Sequence, residues 1–436
     1  MVRLLRFRDF RLLWSAGLIS MIGDWALRAG LPFEVYRLTG STLATAAYFL
    51  AGLVPQVLFG STAGVFVDRW DRRRLMIWVN VALAVALLPL LAVDALGVWI
   101  VYGAVVAAVI LGLLFAPAQI AMLPQLVGSE HLVEANSLSS LNQNLSRLIG
   151  PALGGIVVAL LGLAGVVAID AISFAIAAVL ISMIPSRPSF KPTAPALSHD
   201  AAILPADSAL SRLVAELRDG IAQASASTLL MALIVFGLIT SVGEGVLGAL
   251  FVPWTTDILH GDNLVFAALL STQAIGGLIG AFIVGKFLRN ASPARMLGVG
   301  ALLFGLIDLV LFTYPVIAPV IWPALVGMVI VGIPGTAMQV GGTTIQQREV
   351  LDSHRGRVIG LLMTVMAVGA IVGTSLGGFF GQTVGILPMV VIQGSGYTIS
   401  GLMVLLVARR MRRASSATLA IDEPPISTEA ALASEQ

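Results

Sequence analysis

Two acidic residues occupy matching places in two similar stretches of this chain. Asp24 lies in LISMIGDWALRAGLPF and Glu244 lies in LITSVGEGVLGALFVPW. A carboxyl group in a poorly hydrated cavity can bind and release a proton within a working cycle. Both acids are therefore candidates for proton coupling. The structural alternative is that Asp24 pairs with Arg28 one helical turn later and that Glu244 hydrogen-bonds the backbone or Ser241.

The two stretches belong to a repeat that spans the chain. Gly64 corresponds to Gly285, and the run GPALGG that begins at Gly150 corresponds to the run GTSLGG that begins at Gly373. The offsets all lie between 220 and 223 residues, which indicates a duplication rather than shared apolar composition. A duplicated apolar chain with an acid in the first helix of each half is typical of a secondary transporter built from two parallel bundles.

Sequence signatures of catalysis and of metal binding are missing. The chain has no cysteine, and its four histidines are scattered without an HExxH pattern or a pair at ligand spacing. The phosphate loop GxxxxGK(S/T) does not occur either. The sequence therefore predicts neither an enzyme nor a protein with a metal or an organic cofactor.

The composition requires a lipid environment. Hydrophobic residues make up 58% of the chain, charged residues only 11%, and the mean hydropathy is +0.97. Apolar runs of about 20 residues are long enough to cross a bilayer as helices. We expect an all-α membrane protein with twelve transmembrane helices, at residues 11–37, 43–67, 75–93, 98–123, 138–162, 164–184, 227–256, 264–286, 294–314, 317–341, 353–382 and 387–408.

The twelve spans divide into two pseudo-symmetric six-helix bundles, residues 1–184 and 227–410. Residues 185–226 are predicted to form a cytoplasmic linker, rich in Pro, Ala and Ser at first. The linker continues into an amphipathic helix at 210–221, which either lies on the membrane surface or packs against the bundle. Residues 411–436 are predicted to be a disordered cytoplasmic tail.

Basic residues set the orientation of the spans. All of the 25 Lys and Arg residues except Arg28, Arg37 and Arg147 fall on the side that carries both termini. Because Lys and Arg near span ends stay in the cytoplasm, we expect a multi-pass protein of the cytoplasmic membrane with both termini inside. The basic residues are spread over many loops rather than gathered in one patch, so the sequence predicts no nucleic-acid partner.

The loop after the second predicted span combines small, acidic and basic residues. It reads GSTAGVFVDRWDRRRL and contains Gly60, Gly64, Asp68, Arg69, Arg72 and Arg73. Glycines one turn apart allow close helix approach, and an acid at the membrane edge needs a cationic partner or a helix N-terminus. The loop resembles motif A of the major facilitator superfamily, although Asp71 stands where that motif usually has glycine. The resemblance implies that Asp68, Arg72 and Arg73 form a latch between the halves; the simpler alternative is a loop that only sets topology.

Small residues also mark the fifth predicted span. Its run of small residues contains Gly150, Pro151, Gly154 and Gly155. This run resembles motif C, which is found in the antiporter branches of the superfamily and implies export; the alternative is simple packing between helices. Arg147 precedes the run, and a charge within a span costs about 2.5–3.5 kcal/mol on insertion scales. Such a charge indicates a partner or a task, so Arg147 joins the proton-coupling candidates.

Longer segments point to one branch of that superfamily. GDWALRAGLPFEVYRLTGS, FAPAQIAMLPQLV, EANSLSSLNQNLSRLIGPALGG and HRGRVIGLL together resemble the enterobactin exporters and macrolide-efflux proteins. The resemblance covers residues 11–410. The arginine that many drug–proton antiporters have in span four is absent, since that stretch reads GLLFAPAQ, and Arg147 is the candidate substitute.

In this fold, the first and fourth helices of each half line a central cavity. The resemblance therefore adds substrate-cavity candidates: Phe33, Tyr36, Phe115, Gln119, Phe251, Trp254 and Gln339. Aromatic side chains with few charges suit a bulky amphipathic solute, although an aromatic residue facing lipid looks the same in sequence. Asp170 and Asp308 fall in helices six and nine, which the fold places at the periphery, and we expect both to be structural.

Together these observations favour a monomeric secondary transporter that exports amphipathic small molecules, such as drugs, macrolides or siderophore-like compounds, in exchange for protons. Its partners are the solute, protons and the lipid bilayer. A lipid or lysophospholipid flippase of the same fold is the first alternative. A non-transporting membrane sensor or scaffold is the second, and it leaves the buried acids and Arg147 without a purpose.

Overall fold

The computed structural model describes residues 2–60, 67, 70–186, 225, 227–350 and 355–422, and these residues are mostly helical and contain no strand. One continuous helical stretch, Leu132–Ser182, is divided at Gly162, whose φ of 67° lies in the left-handed region that glycine tolerates. The six long helices of the first half are α1 (Arg8–Thr39), α2 (Thr42–Phe59), α3 (Arg72–Leu87), α4 (Trp99–Val127), α5 (132–161) and α6 (163–182).

The second half repeats this plan. Ser227, Asp262 and Ser292 cap the first three of its helices by accepting hydrogen bonds from backbone N–H groups of the first turn. The six helices are α7 (Thr228–Pro253), α8 (Asn263–Phe287), α9 (Pro293–Thr313), α10 (Ile321–Glu349), α11 (Arg355–Thr383) and α12 (Ile386–Asp422).

The helices are long and apolar enough for a membrane. Ten segments of the described chain qualify by length and composition, and one of them contains both α5 and α6. Helix α1 is not among the ten because Asp24 and Arg28 lower its mean hydropathy. Large apolar side chains are exposed on the outer surface, for example Trp78, Trp99 and Val310, as expected for contact with lipid. The predicted all-α fold is confirmed.

One element differs from the sequence prediction. Helix α12 continues to Asp422, well past the predicted end of the span near residue 408, because a helix that leaves the membrane can continue through basic residues such as Arg409 and Arg410. The predicted helix at 210–221 lies outside the described residues.

Each half has its own core of buried apolar side chains. Within the first half α1 packs against α5 and α6, and within the second half α7 packs against α11 and α12. Contacts between the halves join α2 to α11 and α5 to α8. In each of these two contacts, which the repeat makes equivalent, the second helix of one half meets the fifth helix of the other. A space remains between the halves.

The two ends of the bundle differ in charge and in closure. We call the end where α1 begins the basic face, and the end where α1 reaches Thr39 the opposite face. At the opposite face, the Thr42 hydroxyl donates a hydrogen bond of 2.7 Å to the Gly378 carbonyl, and the Gln382 amide donates one of 2.7 Å to the Ser41 hydroxyl. The space between the halves extends toward the basic face as far as Gln56, near the end of α2. The observed conformation is therefore closed at the opposite face.

Candidate functional site

The space between the halves is a cavity of about 850 Å³. This volume is in the range that holds a drug-sized molecule. Most of its wall is apolar, with phenylalanines from both halves. Its charged lining residues, among those the structure describes, are Asp24, Arg28, Asp170, Glu244 and Asp308. Acids from both halves thus face one shared space.

Asp24 lies in the middle of α1, directly after a glycine that makes room for a second acid. A Cβ atom at Gly23 would collide with the Asp170 carboxylate and would lie 2.6 Å from the Ser173 hydroxyl. That hydroxyl lies 2.8 Å from the Asp170 backbone carbonyl and 3.1 Å from Asp170 Oδ1, and it can donate to either oxygen. Gly23 is therefore a slot in α1 that receives the polar surface of α6, and it brings Asp170 beside Asp24.

The second half contains a comparable slot. A Cβ atom at Gly243 would lie 3.1 Å from the Gln393 Cα atom and 3.2 Å from its Cγ atom. The Gln393 amide in turn donates a 2.8 Å hydrogen bond to Asp308 Oδ2. Glu244, the next residue on α7, accepts a 2.5 Å hydrogen bond from the Tyr397 hydroxyl. Its partner is thus Tyr397 and not Ser241, whose hydroxyl bonds the Leu238 carbonyl.

The sequence interpretation placed Asp170 and Asp308 at the periphery as structural residues. The structure instead places both on the cavity wall, buried, with Asp170 fully inaccessible and Asp308 3% exposed. For Asp170 the physical reason is the slot at Gly23, which receives this side chain from α6. Asp308 on α9 is reached indirectly, because the slot at Gly243 receives Gln393 of α12 and Gln393 donates to Asp308. The sequence signal that could have found them is the repeated glycine directly before each mid-helix acid.

Two arginine side chains lie near the ring of Trp25, which lines the cavity. The Arg28 guanidinium carbon lies 5.8 Å from the centre of the Trp25 ring, and that of Arg147 lies 6.0 Å from it. Both distances allow cation–π attraction. The guanidinium groups of α1 and α5 therefore lie near one aromatic ring of the first half.

The predicted cavity residues fall into two groups. Three of them line the cavity: Phe115, Gln119 and Phe251. Phe33 and Tyr36 instead pack in an apolar cluster with Phe266. Trp254 is fully buried, and its indole N–H donates a 3.0 Å hydrogen bond to the Phe312 carbonyl. Gln339 is exposed and lies outside the cavity lining.

The glycines of the run that resembles motif C allow close packing both within the first half and between the halves. A Cβ atom at Gly150 or Gly154 would collide with the backbone or Cβ atoms of α1, so these two glycines join α5 to α1 within the first half. Gly155 faces the other half, where an added Cβ atom would lie 2.5 Å from the Ala267 Cβ atom. Pro151 is buried beside them. The repeat-related Gly378 meets Ala46 across the other inter-half contact in the same way.

The loop that resembles motif A is only partly described. Gly64, Asp68 and Arg69 lie outside the described residues, and Gly60 is the exposed C-cap of α2. The Arg72 guanidinium donates to the Ala121 carbonyl at 3.4 Å, and that of Arg73 donates to the Ser182 carbonyl.

Asp71, the departure from the motif, has a clear local role. Its side chain accepts a 2.9 Å hydrogen bond from the backbone N–H of Arg74 and caps α3. The acid therefore begins a helix where glycine would have left the first turn uncapped.

Further polar contacts stabilise the opposite face. The Tyr36 hydroxyl donates a hydrogen bond to the Asp257 carboxylate and so joins α1 to the end of α7. Arg37 binds Glu34 on its own helix and also Asp94, at 3.1 Å. Arg37 thus has acidic partners on the side that carries few basic residues.

Comparisons with known proteins agree on one kind of molecule. Residues 3–434 match the family described as transmembrane secretion effector. Macrolide efflux protein A of Streptococcus pyogenes is 24% identical over 396 residues, which cover 88% of this chain and 92% of that protein. Enterobactin exporter EntS of Salmonella typhimurium is 27% identical over 426 residues, with 93% of each chain covered.

Solved structures share the fold at low sequence identity. A bacterial homologue of the iron transporter ferroportin, in an inward-facing state, has a TM-score of 0.70 and 16% identity, and the match covers 92% of this chain and 98% of that one. A bacterial homologue of the human lysosomal transporter Spinster, in an inward-facing and unoccupied conformation, has a TM-score of 0.64 and 14% identity, with 96% and 99% covered.

Proposed function

The chain belongs to the transmembrane secretion effector family of the major facilitator superfamily, and from this we propose that it exports amphipathic small molecules in exchange for protons by alternating access. Its relatives are efflux transporters and not enzymes. The chain is accordingly a multi-pass membrane transporter of an efflux family. The proton coupling and the amphipathic substrate are the parts that we propose.

The observation that carries this proposal is the shared cavity. It holds Asp24 from α1 and Glu244 from α7, the repeat-related helices of the two halves, and its wall is otherwise mainly apolar. A carboxyl group in such a wall is costly when charged and unpaired, so its protonation is tied to what else occupies the cavity. An apolar solute and a proton can therefore alternate at the same place, which is the chemistry of exchange.

Glu244 is our candidate for the main proton carrier. Its side chain is exposed to the cavity, whereas one of its oxygens is held by the Tyr397 hydroxyl. That hydrogen bond fixes the position of the carboxyl group at the cavity wall. Asp24 and Arg147 complete the coupling set, because Asp24 lines the cavity from the first half and Arg147 lies near Trp25, which lines it as well.

Alternating access requires the halves to separate at the opposite face while they approach at the basic face. We propose that Asp68, Arg72 and Arg73 form the latch at the basic face. In the observed conformation Arg72 and Arg73 bind backbone carbonyls of their own half, at Ala121 and Ser182. These contacts are weak enough to exchange for partners on the other half when the basic face closes.

The relatives guide the choice of substrates. Their names refer to macrolides and to enterobactin, and both fit an aromatic-walled cavity of about 850 Å³ better than a sugar does. We therefore propose drug, macrolide or siderophore-like molecules as substrates. A lipid flippase of the same fold is the alternative, and independence from a proton gradient would favour it.

We further propose that the basic face is cytoplasmic, so that both termini lie on the cytoplasmic side of the membrane. We also propose that the protein is a monomer. The distribution of Lys and Arg supports this orientation. The observed conformation is then closed to the outside, and its cavity reaches toward the cytoplasm, the side from which an exporter takes its substrate.

Growth of an efflux-deficient bacterial host tests the function. We expect the chain to raise the inhibitory concentration of at least one compound in a panel of macrolides, tetracyclines, siderophores and dyes. Glu244→Gln should abolish this protection, whereas Glu130→Gln, which neutralises an exposed acid at the basic face, should retain it. Unchanged inhibitory concentrations across the whole panel at normal expression would contradict the export proposal.

A further inference from the structure

Three glutamine side chains of the first half line the cavity and have no part in the proposed exchange. Gln56 lies near the end of α2, Gln119 lies eight residues before the end of α4, and Gln143 lies eleven residues after the start of α5. Gln56 and Gln143 are exposed, and Gln119 is half-buried. Because these ends of α2, α4 and α5 lie at the basic face, the three side chains belong to the part of the cavity nearer that face.

Other polar side chains on this wall are occupied by their own helices. The Ser20 hydroxyl donates a 3.3 Å hydrogen bond to the Gly17 carbonyl, and the Asn80 amide donates one of 2.8 Å to the Met76 carbonyl. No side-chain hydrogen bond joins the three glutamine amides to another residue that the structure describes. A carboxamide has two N–H donors and an acceptor oxygen. The glutamines therefore present both kinds of hydrogen-bonding group to whatever occupies the cavity.

The depth of these amides in the cavity is shown by a neighbour on α1. A Cβ atom at Gly17 would lie 3.7 Å from Nε2 of Gln119, and both residues line the cavity. Gly17 precedes Asp24 by seven residues, so it lies about 10 Å nearer the basic face along the helix. The amide group is therefore separate from the acid that we assign to proton coupling.

The closed end of the cavity is aromatic. Phe251 near the end of α7, Phe266 near the start of α8 and Phe312 near the end of α9 line the cavity at the opposite-face ends of their helices. The ring centre of Phe251 lies 5.1 Å from that of Phe266 and 6.1 Å from that of Phe312. The cavity is thus polarised along its length, with aromatic rings at the closed end and carboxamides toward the basic face.

The repeat does not account for this arrangement. At the offsets of 221 and 223 residues found for the neighbouring motifs, Gln56 and Gln143 correspond to Gly277 and Met366. Neither glycine nor methionine has an amide side chain. The two halves therefore present different chemistry at these places, as suits a solute whose own two ends differ.

An occupant that displaces water from the amides must replace their hydrogen bonds. A polar group that loses water and gains no partner costs free energy, so a wholly apolar occupant is penalised at this end of the cavity. A hydroxyl group both donates and accepts, and so it matches a carboxamide. A site that hydrogen-bonds hydroxyl groups also discriminates against an analogue that lacks them.

We propose that Gln56, Gln119 and Gln143 form a neutral hydrogen-bonding subsite for the hydroxyl-bearing end of an amphipathic solute, such as the sugar ring of a glycoside. The apolar end of the solute lies against the phenylalanine rings at the closed end. This inference rests on the proposed export function, since it names the substrate class of the same cavity.

Two uncharged probes that differ in their hydroxyl groups test the inference. Naphthyl glucoside and naphthyl cyclohexyl ether carry the same aromatic group and a six-membered ring on the same oxygen atom, but only the glucoside has hydroxyl groups. Binding is to be measured by equilibrium dialysis against the purified full-length chain in detergent micelles, with protein-free micelles as the blank. Partition of a probe into the micelles is the same for every variant, so the ratio of affinities between variants reports on the protein.

We expect the parent to bind the glucoside saturably. Gln119→Leu and Gln143→Leu should each weaken binding of the glucoside about tenfold, the effect of one lost hydrogen-bonding group, and leave binding of the ether unchanged or tighter. Gln339→Leu is the matched control, because this glutamine is exposed on α10 outside the cavity lining, and it should bind both probes as the parent does.

Absence of saturable glucoside binding by the parent would overturn the inference without any variant, so a misfolded mutant cannot protect it. Full affinity for the glucoside in the Gln119→Leu, Gln143→Leu double variant would overturn it as well. So would an equal loss of affinity for both probes, because the hydroxyl groups would then not be what the glutamines bind.

The growth panel separates this inference from the export proposal. Protection by the parent, with no effect of the glutamine substitutions on glucoside binding, would leave export in place and overturn the subsite. Glutamine-dependent binding of the glucoside without protection against any compound would contradict export and support the subsite.

Discussion

The contact between Gly155 and Ala267 offers a direct way to shift the conformational equilibrium. A Cβ atom at position 155 would lie 2.5 Å from the Ala267 Cβ atom and 3.4 Å from the Leu264 Cα atom. Carbon atoms in good contact are about 3.5–4.0 Å apart, so Gly155→Ala requires α5 and α8 to separate by about 1 Å. The contact lies between the halves at the opposite face. We therefore expect the substitution to disfavour the observed conformation more than one in which this face is open.

The size of the effect follows from overpacking. Inserting a methyl group into a packed contact typically costs about 1–3 kcal/mol, and about 2 kcal/mol changes a two-state ratio about 30-fold. The repeat-related substitution Gly378→Ala meets Ala46 at a separate contact. Because the two contacts are independent, their effects should add in the double variant.

Spin-label distances measure this shift. The chain has no cysteine, so Leu38→Cys and Val384→Cys can be labelled specifically, and these exposed positions lie in different halves at the opposite face. Gly155→Ala should increase the population with the longer distance. Gly103→Ala is the control, since nothing lies within 4 Å of a Cβ atom there. Identical distance distributions in the two alanine variants would refute the reasoning.

Two further substitutions test individual hydrogen bonds. Tyr36→Phe removes the donor to Asp257 at the opposite face. The free-energy difference between the closed and open states should then fall by about 0.5–1.5 kcal/mol, and the same pair of labels should show a larger open population. An unchanged distribution would mean that this bond does not hold the face closed. Tyr397→Phe removes the donor to Glu244. We expect proton-driven efflux in membrane vesicles to fall about tenfold at unchanged expression. An efflux rate equal to that of the parent would show that Tyr397 has no part in proton coupling.

Much of the fold could be predicted from the sequence because the signals are local. The length of each apolar run sets the helix that crosses the bilayer, and the break at Gly162 coincides with the predicted boundary between spans five and six. The repeat then fixes the correspondence of the halves, since Gly155 and Gly378 take equivalent places in the two inter-half contacts. Periodicity and duplication need no knowledge of side-chain contacts.

The site was harder to predict because it depends on contacts between distant helices. Whether Asp170 faces lipid, protein or cavity is decided by the absence of a side chain at Gly23, which precedes it by 147 residues. An aromatic residue gives no sequence signal of its direction either. Phe251 lines the cavity, whereas Trp254, three residues later, is buried in the core and donates a hydrogen bond to the Phe312 carbonyl.

The most direct test of proton-coupled export is transport by purified protein in liposomes under an imposed pH gradient. The compound to which the chain gives resistance is to be placed on the side of the basic face, with the proton gradient directed against its movement. The parent should accumulate this compound against its concentration gradient, and Glu244→Gln should bind it and carry it only down that gradient. Uphill transport by Glu244→Gln at the parent rate, or a parent rate unaffected when the pH gradient collapses, would contradict the mechanism.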